Sequence, residues 1–220
     1  MAPISVADLP TIVPIFPLAG VLLLPRAPLP LHIFEPRYRA MVRDAIAADG
    51  YIAMIQPSGE PGDDPMNQPI FRTACLGKIV GSNTLEDGRY NIVLRGVCRL
   101  SVTSELPLLE GYRRVEADYA PYRHDLDDTN PAAAVDRKAL LASMKGFLAR
   151  RNMQANWDDV LQASDEMVVN SLAVACPFGP QEKQALLEAE DLGARALLLQ
   201  ALCDMEAGTT ANDNSPRALH

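Results

Sequence analysis

The densest run of side chains able to do chemistry is His32-Ile-Phe34-Glu35-Pro-Arg37-Tyr38-Arg39. Glu35 stands just before Pro36, a residue favoured at the first position of a helix, so its carboxylate complements the positive pole of the helix that should begin there. Arg37 or Arg39 can pair with Glu35 or with backbone carbonyls at the strand-to-helix turn. This reading makes the run a lock that fixes a helix on a sheet. Its functional alternative is direct ligand contact through His32, Phe34, Glu35, Arg37 and Tyr38.

Other chemistry finds little support. A lone histidine needs a base, nucleophile or metal beside it, and His32, His124 and His220 are far apart in the chain. The sole Gly-Lys pair, Gly77-Lys78, has Arg72 where a phosphate-binding loop requires its first glycine. Asp125-Leu-Asp127-Asp128 resembles the start of a calcium loop, but Asn130 occupies the turn-glycine position and Asp136 the position of the bidentate glutamate. A solvated acidic linker is the better reading. Cys75, Cys98, Cys176 and Cys203 have no metal-ligand spacing and sit among apolar neighbours, as buried free thiols do. No catalytic residue, cofactor or metal is therefore expected.

The elements that must position the His32–Arg39 run follow from pattern. Ile12 to Leu18 and Val21 to Leu24 are short apolar runs broken by proline and glycine, which predicts strands with interrupted ladders. From Pro36, the spacing of Tyr38, Met41, Val42, Ala45 and Ile46 predicts an amphipathic helix that Gly50 ends. Tyr51–Ile55 reads as a strand, and residues 57–70, with four prolines, as an exposed loop. Asp87-Gly88 predicts a two-residue type I′ hairpin, Gly96 a bulge, and residues 112–119 a further strand. Beyond residue 122 the period becomes helical. Asn130-Pro131, Asn156, Ser164, Gly179-Pro180 and Asp191 mark starts of four or five helices that should pack as a bundle, and residues 208–220 form a polar tail read as disordered.

Composition agrees with this division into a β-rich part at 1–122 and a helical part at 123–207. Of 18 prolines, 14 precede residue 125, where Lys/Arg and Asp/Glu number 12 and 13; the remainder carries 8 and 15, and the whole chain is at −8. Such acidity disfavours nucleic acid and anionic membrane as partners. The apolar stretch at 12–24 lacks a basic segment before it and is interrupted by Pro14 and Pro17, so it is not read as a signal peptide, and no run is long enough to span a bilayer. A soluble cytoplasmic protein is expected.

Two blocks also carry a family likeness. Residues 14–25 together with Leu29-Pro-Leu-His-Ile-Phe-Glu-Pro-Arg-Tyr-Arg-Ala-Met-Val42 closely resemble the opening of the N-terminal domain of ATP-dependent Lon proteases, particularly stand-alone bacterial relatives. Asp87-Gly-Arg-Tyr-Asn-Ile-Val-Leu-Arg-Gly-Val-Cys-Arg-Leu100 resembles that domain's central hairpin, and 182–188 with Arg195 and Leu199 its late helices. The resemblance implies an α+β fold: a PUA-like, curved antiparallel β subdomain with one helix, then an α-helical bundle. It also implies a module for substrate recognition and assembly, without the ATPase and Ser-Lys protease domains.

The leading functional expectation is a non-enzymatic module that binds unfolded or hydrophobic polypeptide, acting with a protease or chaperone as an adaptor. Unpaired sheet edges would accept an extended peptide by strand addition or groove contact. RNA binding by the PUA-like part is the alternative, through Arg95, Arg99, Arg113, Arg114 and Arg123 interleaved with Tyr112, Tyr119 and Tyr122. A hydrolase ranks third, since no nucleophile with a base is visible.

Overall fold

The computed structural model describes residues 5–59, 68–127, 135–153 and 156–209. Six strands form one mixed sheet: β1 (Ile12–Pro17), β2 (Pro28–Ile33), β3 (Tyr51–Pro57), β4 (Ile70–Thr84), β5 (Tyr90–Leu109) and β6 (Tyr112–Asp118). Pairing runs β5-β4-β3-β1-β6 and returns to β5, so five strands close into a ring, and β2 is added outside through β5. The long β5 makes closure possible. Its first half pairs with β2 and β4, and its second half turns onto β6, with Ser101 opposite Thr73 on one side and Asp118 on the other.

The expected α+β class with a curved β region holds, with one pairing parallel rather than antiparallel, that of β1 with β3. Alternation along the strands sends Val13, Ile15, Ala53, Ile55, Leu76, Leu100 and Val115 into one core. Gly96 lies at the expected bulge: Gly77 pairs with Gly96 while Leu76 pairs with Cys98, leaving Val97 extra. Gly96 also lets another segment approach, because a Cβ there would lie 2.0 Å from the Leu24 carbonyl oxygen.

Two local expectations are corrected. Val21–Leu24 is not a strand. Leu22, Leu23 and Leu24 are buried in an irregular segment, where the Gln56 side chain from β3 accepts from Gly20 N at 2.8 Å and donates to the Val21 carbonyl, replacing a ladder. The hairpin at Asp87-Gly88 is not the two-residue type I′ turn. Gly88 alone of the pair has positive φ, at 77°, with Gly88 N bonded to Leu85 O and Leu85 N to Arg89 O, which is a longer loop closed by a left-handed glycine.

Helix α1 (Pro36–Ala47) starts at its proline as expected and buries Tyr38, Met41, Val42 and Ala45. Ile46, assigned to the same stripe, is 44% exposed. Gly50 ends the helix region at φ 70°, its N–H reaching back to Ala45 O at 2.8 Å.

The remaining helices are α2 (Arg137–Arg150), α3 (Trp157–Gln162), α4 (Asp165–Ala175), α5 (Pro180–Glu188) and α6 (Leu192–Thr209). Asn156, Ser164 and Asp191 cap as read, with side-chain oxygens accepting from the N–H groups of Asp158, Met167 and Ala194. The start of α2 is capped by Asp136; the Asn130-Pro131 start read from sequence lies outside the described residues. So do residues 60–67 of the predicted loop and the tail from residue 210.

The chain divides into two compact units, and the division differs from a single break at 122/123. One unit holds the β region with Val174–Glu188, and the other holds 131–173 and 189–220. Helix α5 belongs with the sheet because Gln184, buried, donates through Nε2 to Thr73 O at 3.1 Å, and Leu187 O accepts from Arg99 Nη1 at 3.1 Å. In the other unit α2 packs on α6 through Leu140, Met144 and Phe147 on one side and Leu199 and Cys203 on the other, with Cys203 Sγ 3.2 Å from Met144 Sδ.

Candidate functional site

The signature run is split by the fold into three roles. Tyr38 points inward from the first turn of α1 and is buried against Phe16, ring centroids 4.2 Å apart, and burial raises its hydroxyl pKa. Glu35, the N-cap residue, accepts from Arg37 Nε at 3.0 Å and Nη2 at 2.9 Å, and the Arg37 guanidinium lies 4.5 Å from the Tyr38 ring centroid. Glu35 therefore pairs with Arg37 rather than with Arg39, and Arg37 lies over the Tyr38 ring.

His32 and Phe34 face the other way. His32 Nδ1 lies 2.7 Å from Asn91 Oδ1, and its Nε2 lies 3.3 Å from Arg89 Nη1. One ring nitrogen of His32 thus faces the Asn91 amide oxygen and the other a guanidinium, a group that only donates. Phe34, between β2 and α1, is 60% exposed, with its ring centroid 6.2 Å from that of His32. An aromatic ring held in water by ordered backbone is unusual enough to mark an interaction surface when other apolar groups adjoin it.

They do adjoin it. Beside His32 lies a groove of about 570 Å³ across β2, β5 and β4, lined by Pro30, Leu31, His32, Gly81 and Val93 among others. Gly81 opens space above Val93, its missing Cβ being 3.9 Å from the valine side chain. Val80 next to it is an extra residue between Ile79, opposite Leu94, and Gly81, opposite Val93, and is 58% exposed. The bulge turns an apolar side chain out of the sheet. Sequence reasoning missed Val80 because a bulge in mid-strand leaves no alternation signal; Gly81 within the run was the available hint.

Strand addition, one of the two binding modes expected, is disfavoured by this geometry. Ring closure uses both sides of β1, β3, β4, β5 and β6, leaving the outer side of β2 as the open edge of the strand order. Pro28 and Pro30 there have no N–H to offer, which blunts the edge. Contact by side chains in the groove remains.

The arginines and tyrosines proposed as an RNA face are not one face. Arg99 and Arg113 are buried, as are Tyr112 and Tyr119. Arg113 is held by Glu105 through Nε at 3.0 Å and Nη2 at 2.7 Å. Burial alone would depress the Arg99 guanidinium, but its bonds to Asp125 hold its pKa above the ordinary value. Arg99 also lies 4.7 Å from the Tyr122 ring centroid and 3.0 Å from His124 Nε2, so these side chains tie β5 to the 3-10 segment Ala120–Leu126.

Comparison with known proteins places this geometry among relatives. The family model of the ATP-dependent protease La (LON) substrate-binding domain matches residues 12–203. "Lon protease 2" of Myxococcus xanthus is 26% identical over 215 residues, 92% of this chain and 25% of that protein. "Lon protease" of Parabacteroides distasonis is 26% identical over 197 residues, 88% and 24% of the two chains. The chain therefore spans about a quarter of the length of these curated relatives. Among solved structures, the crystal structure of a Lon N-terminal domain protein from Xanthomonas campestris superposes with a TM-score of 0.59 at 22% identity, covering 87% of this chain and 98% of the other. The N-terminal domain of Mycobacterium avium complex Lon protease gives 0.57 at 18% identity, covering 88% and 98%.

Proposed function

Since the chain belongs to the ATP-dependent protease La (LON) substrate-binding domain family, we propose that it is a non-catalytic recognition module that binds unfolded or partly folded polypeptide as an adaptor in cytoplasmic proteolysis. The observation that carries this reading is the exposed Phe34, 60% accessible, whose ring lies beside that of His32 in the apolar groove across β2, β5 and β4, while the outturned Val80 lines an adjoining hollow that shares Gly81 and Ser82 with the groove. A side-chain groove without a usable edge strand selects apolar side chains rather than a particular backbone hydrogen-bond register, which suits segments of varied sequence. Release of water from Phe34, Val80 and the apolar residues of the ligand supplies the free energy.

The fold reinforces this role. The groove is carried by β4 and β5 of the closed ring and by β2 paired along β5, so it is formed before any ligand arrives and little ordering cost falls on the protein. The test is fluorescence anisotropy with a labelled, permanently unfolded polypeptide against the same polypeptide in its folded form. Binding in the micromolar range that favours the unfolded form is expected; no binding at tens of micromolar, or equal binding of both forms, contradicts the proposal.

A further inference from the structure

Apart from the N-cap Glu35, helix α1 carries its charges against its own dipole. Arg37 and Arg39 occupy the first turn and its neighbourhood, where the helix pole is positive, no acidic residue lies in that turn, and no basic residue lies in the last turn, which holds Asp44. Arg39 and Arg43, four residues apart, repel each other on one face. Local charge choices that oppose the element they sit on point to a role outside the element.

The three guanidinium groups meet in one cleft of about 540 Å³, lined by Pro36, Arg37, Arg39, Arg43, Tyr90 and Glu110 among others. Their carboxylate partners are unevenly shared. Glu35 holds Arg37 at 2.9 Å, Asp44 and Glu110 both hold Arg43 at 2.7 Å, and Asp87 is held by Arg89 at 2.6 Å. Among the described residues Arg39 makes no ion pair; it acts on Asp87 only through space. Its head lies over Gly88, where a Cβ would come within 2.2 Å of Nη2, so the left-handed glycine that closes the β4–β5 loop also leaves room for this cation.

We infer that this cleft receives a carboxylate side chain of the bound polypeptide, with Arg39 as its contact, so that the module prefers segments in which acidic residues flank apolar ones. The inference rests on the polypeptide-binding reading. Phe34 stands two residues before Pro36 at the edge of the cleft, so the apolar and the cationic features are neighbours along one short stretch of chain. A guanidinium presents paired donors that match a carboxylate, and the exposed pairs at Arg43 are weak enough to rearrange around an incoming anion. On a chain of net charge −8, such a site counters the general repulsion of acidic ligands.

The test uses the full chain and three labelled peptides with one apolar core, flanked by Glu, by Gln or by Lys, compared by anisotropy at low salt. The Glu peptide is expected to bind about fivefold more tightly than the Gln peptide, the preference fading at high salt. Arg39→Gln should bring the two within about twofold, and Arg39→Lys should keep part of the preference. Equal binding of the Glu and Gln peptides, or a preference untouched by Arg39→Gln in a protein of unchanged melting temperature, overturns the inference while leaving polypeptide binding intact. Failure of all three peptides and of an unfolded polypeptide overturns both readings. A single-stranded RNA oligonucleotide of equal charge that displaces the Glu peptide at lower concentration than unlabelled Glu peptide overturns the choice of ligand.

Discussion

Arg99 and Asp125 form a two-point ion pair inside the β unit: Nη2 meets Oδ1 and Nε meets Oδ2, each at 2.8 Å, with side chains 2% and 7% exposed. Asp125 Oδ2 also accepts from the Arg99 backbone N–H at 2.9 Å, and the remaining Arg99 donors reach Leu187 O and His124. One guanidinium thereby joins β5, the 3-10 segment and α5.

Removing one partner should cost far more than removing both. Asp125→Ala leaves a buried cation unpaired and is expected to destabilise the chain by about 3–5 kcal/mol, read from urea unfolding. Arg99→Met with Asp125→Leu should recover a large part of that loss. A cost below about 1 kcal/mol for Asp125→Ala would show the pair to be solvated in solution.

Gly96 has no room for a side chain. Its Cβ would lie 2.0 Å from Leu24 O and 2.7 Å from Leu24 C, both backbone atoms that cannot rotate away. Gly96→Ala should therefore separate the Leu22–Pro25 segment from β5 at a cost of about 3 kcal/mol. Gly20→Ala is the contrast: nothing lies within 4 Å of its Cβ, and the strain comes from φ 74° alone, so the loss should be about 1 kcal/mol. Equal losses in thermal unfolding would refute the packing argument.

Lys183 gives stability a pH dependence. It is 1% exposed, its Nζ donates to Val174 O at 2.7 Å, and burial pulls its pKa down to about 8. The unfolded chain, with an ordinary lysine, binds more protons between that value and about 10.4, so stability rises with pH across this range. Tyr112, pushed up to about 12 chiefly by burial, works in the opposite direction once unfolded tyrosine ionises near pH 10. Between pH 8 and pH 9.5 tyrosine is silent, but the Cys98 thiol, pushed up to about 12 chiefly by burial, opposes the lysine, because an unfolded cysteine ionises near pH 8.5 while the folded one keeps its proton. Lys183→Met is expected to lower the slope of unfolding free energy against pH there, leaving the opposing thiol contribution. An unchanged slope would place the proton elsewhere.

Much of the fold was legible because its signals are local. Pro36 and Gly50 bracket α1, Asn156, Ser164 and Asp191 cap where they were read, and the strand at 112–118 has Val115 buried and Glu116 exposed. What escaped depends on contacts distant in sequence. Val21–Leu24 has a strand's composition, yet Val21 O accepts from the Gln56 side chain, Val21 N turns back to Leu18 O and Leu24 O accepts from Ala27 N. Helix α5 has an amphipathic pattern suited to a bundle, yet it packs on the sheet, where Gln184 and Leu187 O meet Thr73 and Arg99. The run itself was half visible: the sequence offered Arg37 or Arg39 as the partner of Glu35 and put Tyr38 on the apolar stripe of α1, while the exposure of Phe34 and the bulge at Val80 arise only when β2, β4 and β5 are side by side.

The account turns on Phe34 as a binding residue with little part in stability. Phe34→Ser, at a position 60% exposed, should change the unfolding free energy by no more than about 0.5 kcal/mol. The deciding measurement is the anisotropy-derived dissociation constant of wild type and Phe34→Ser for one unfolded polypeptide, made on protein shown to melt at the same temperature. The account predicts a weakening of about fivefold to tenfold, the loss of one well-placed aromatic contact. Identical constants for the two proteins would contradict it.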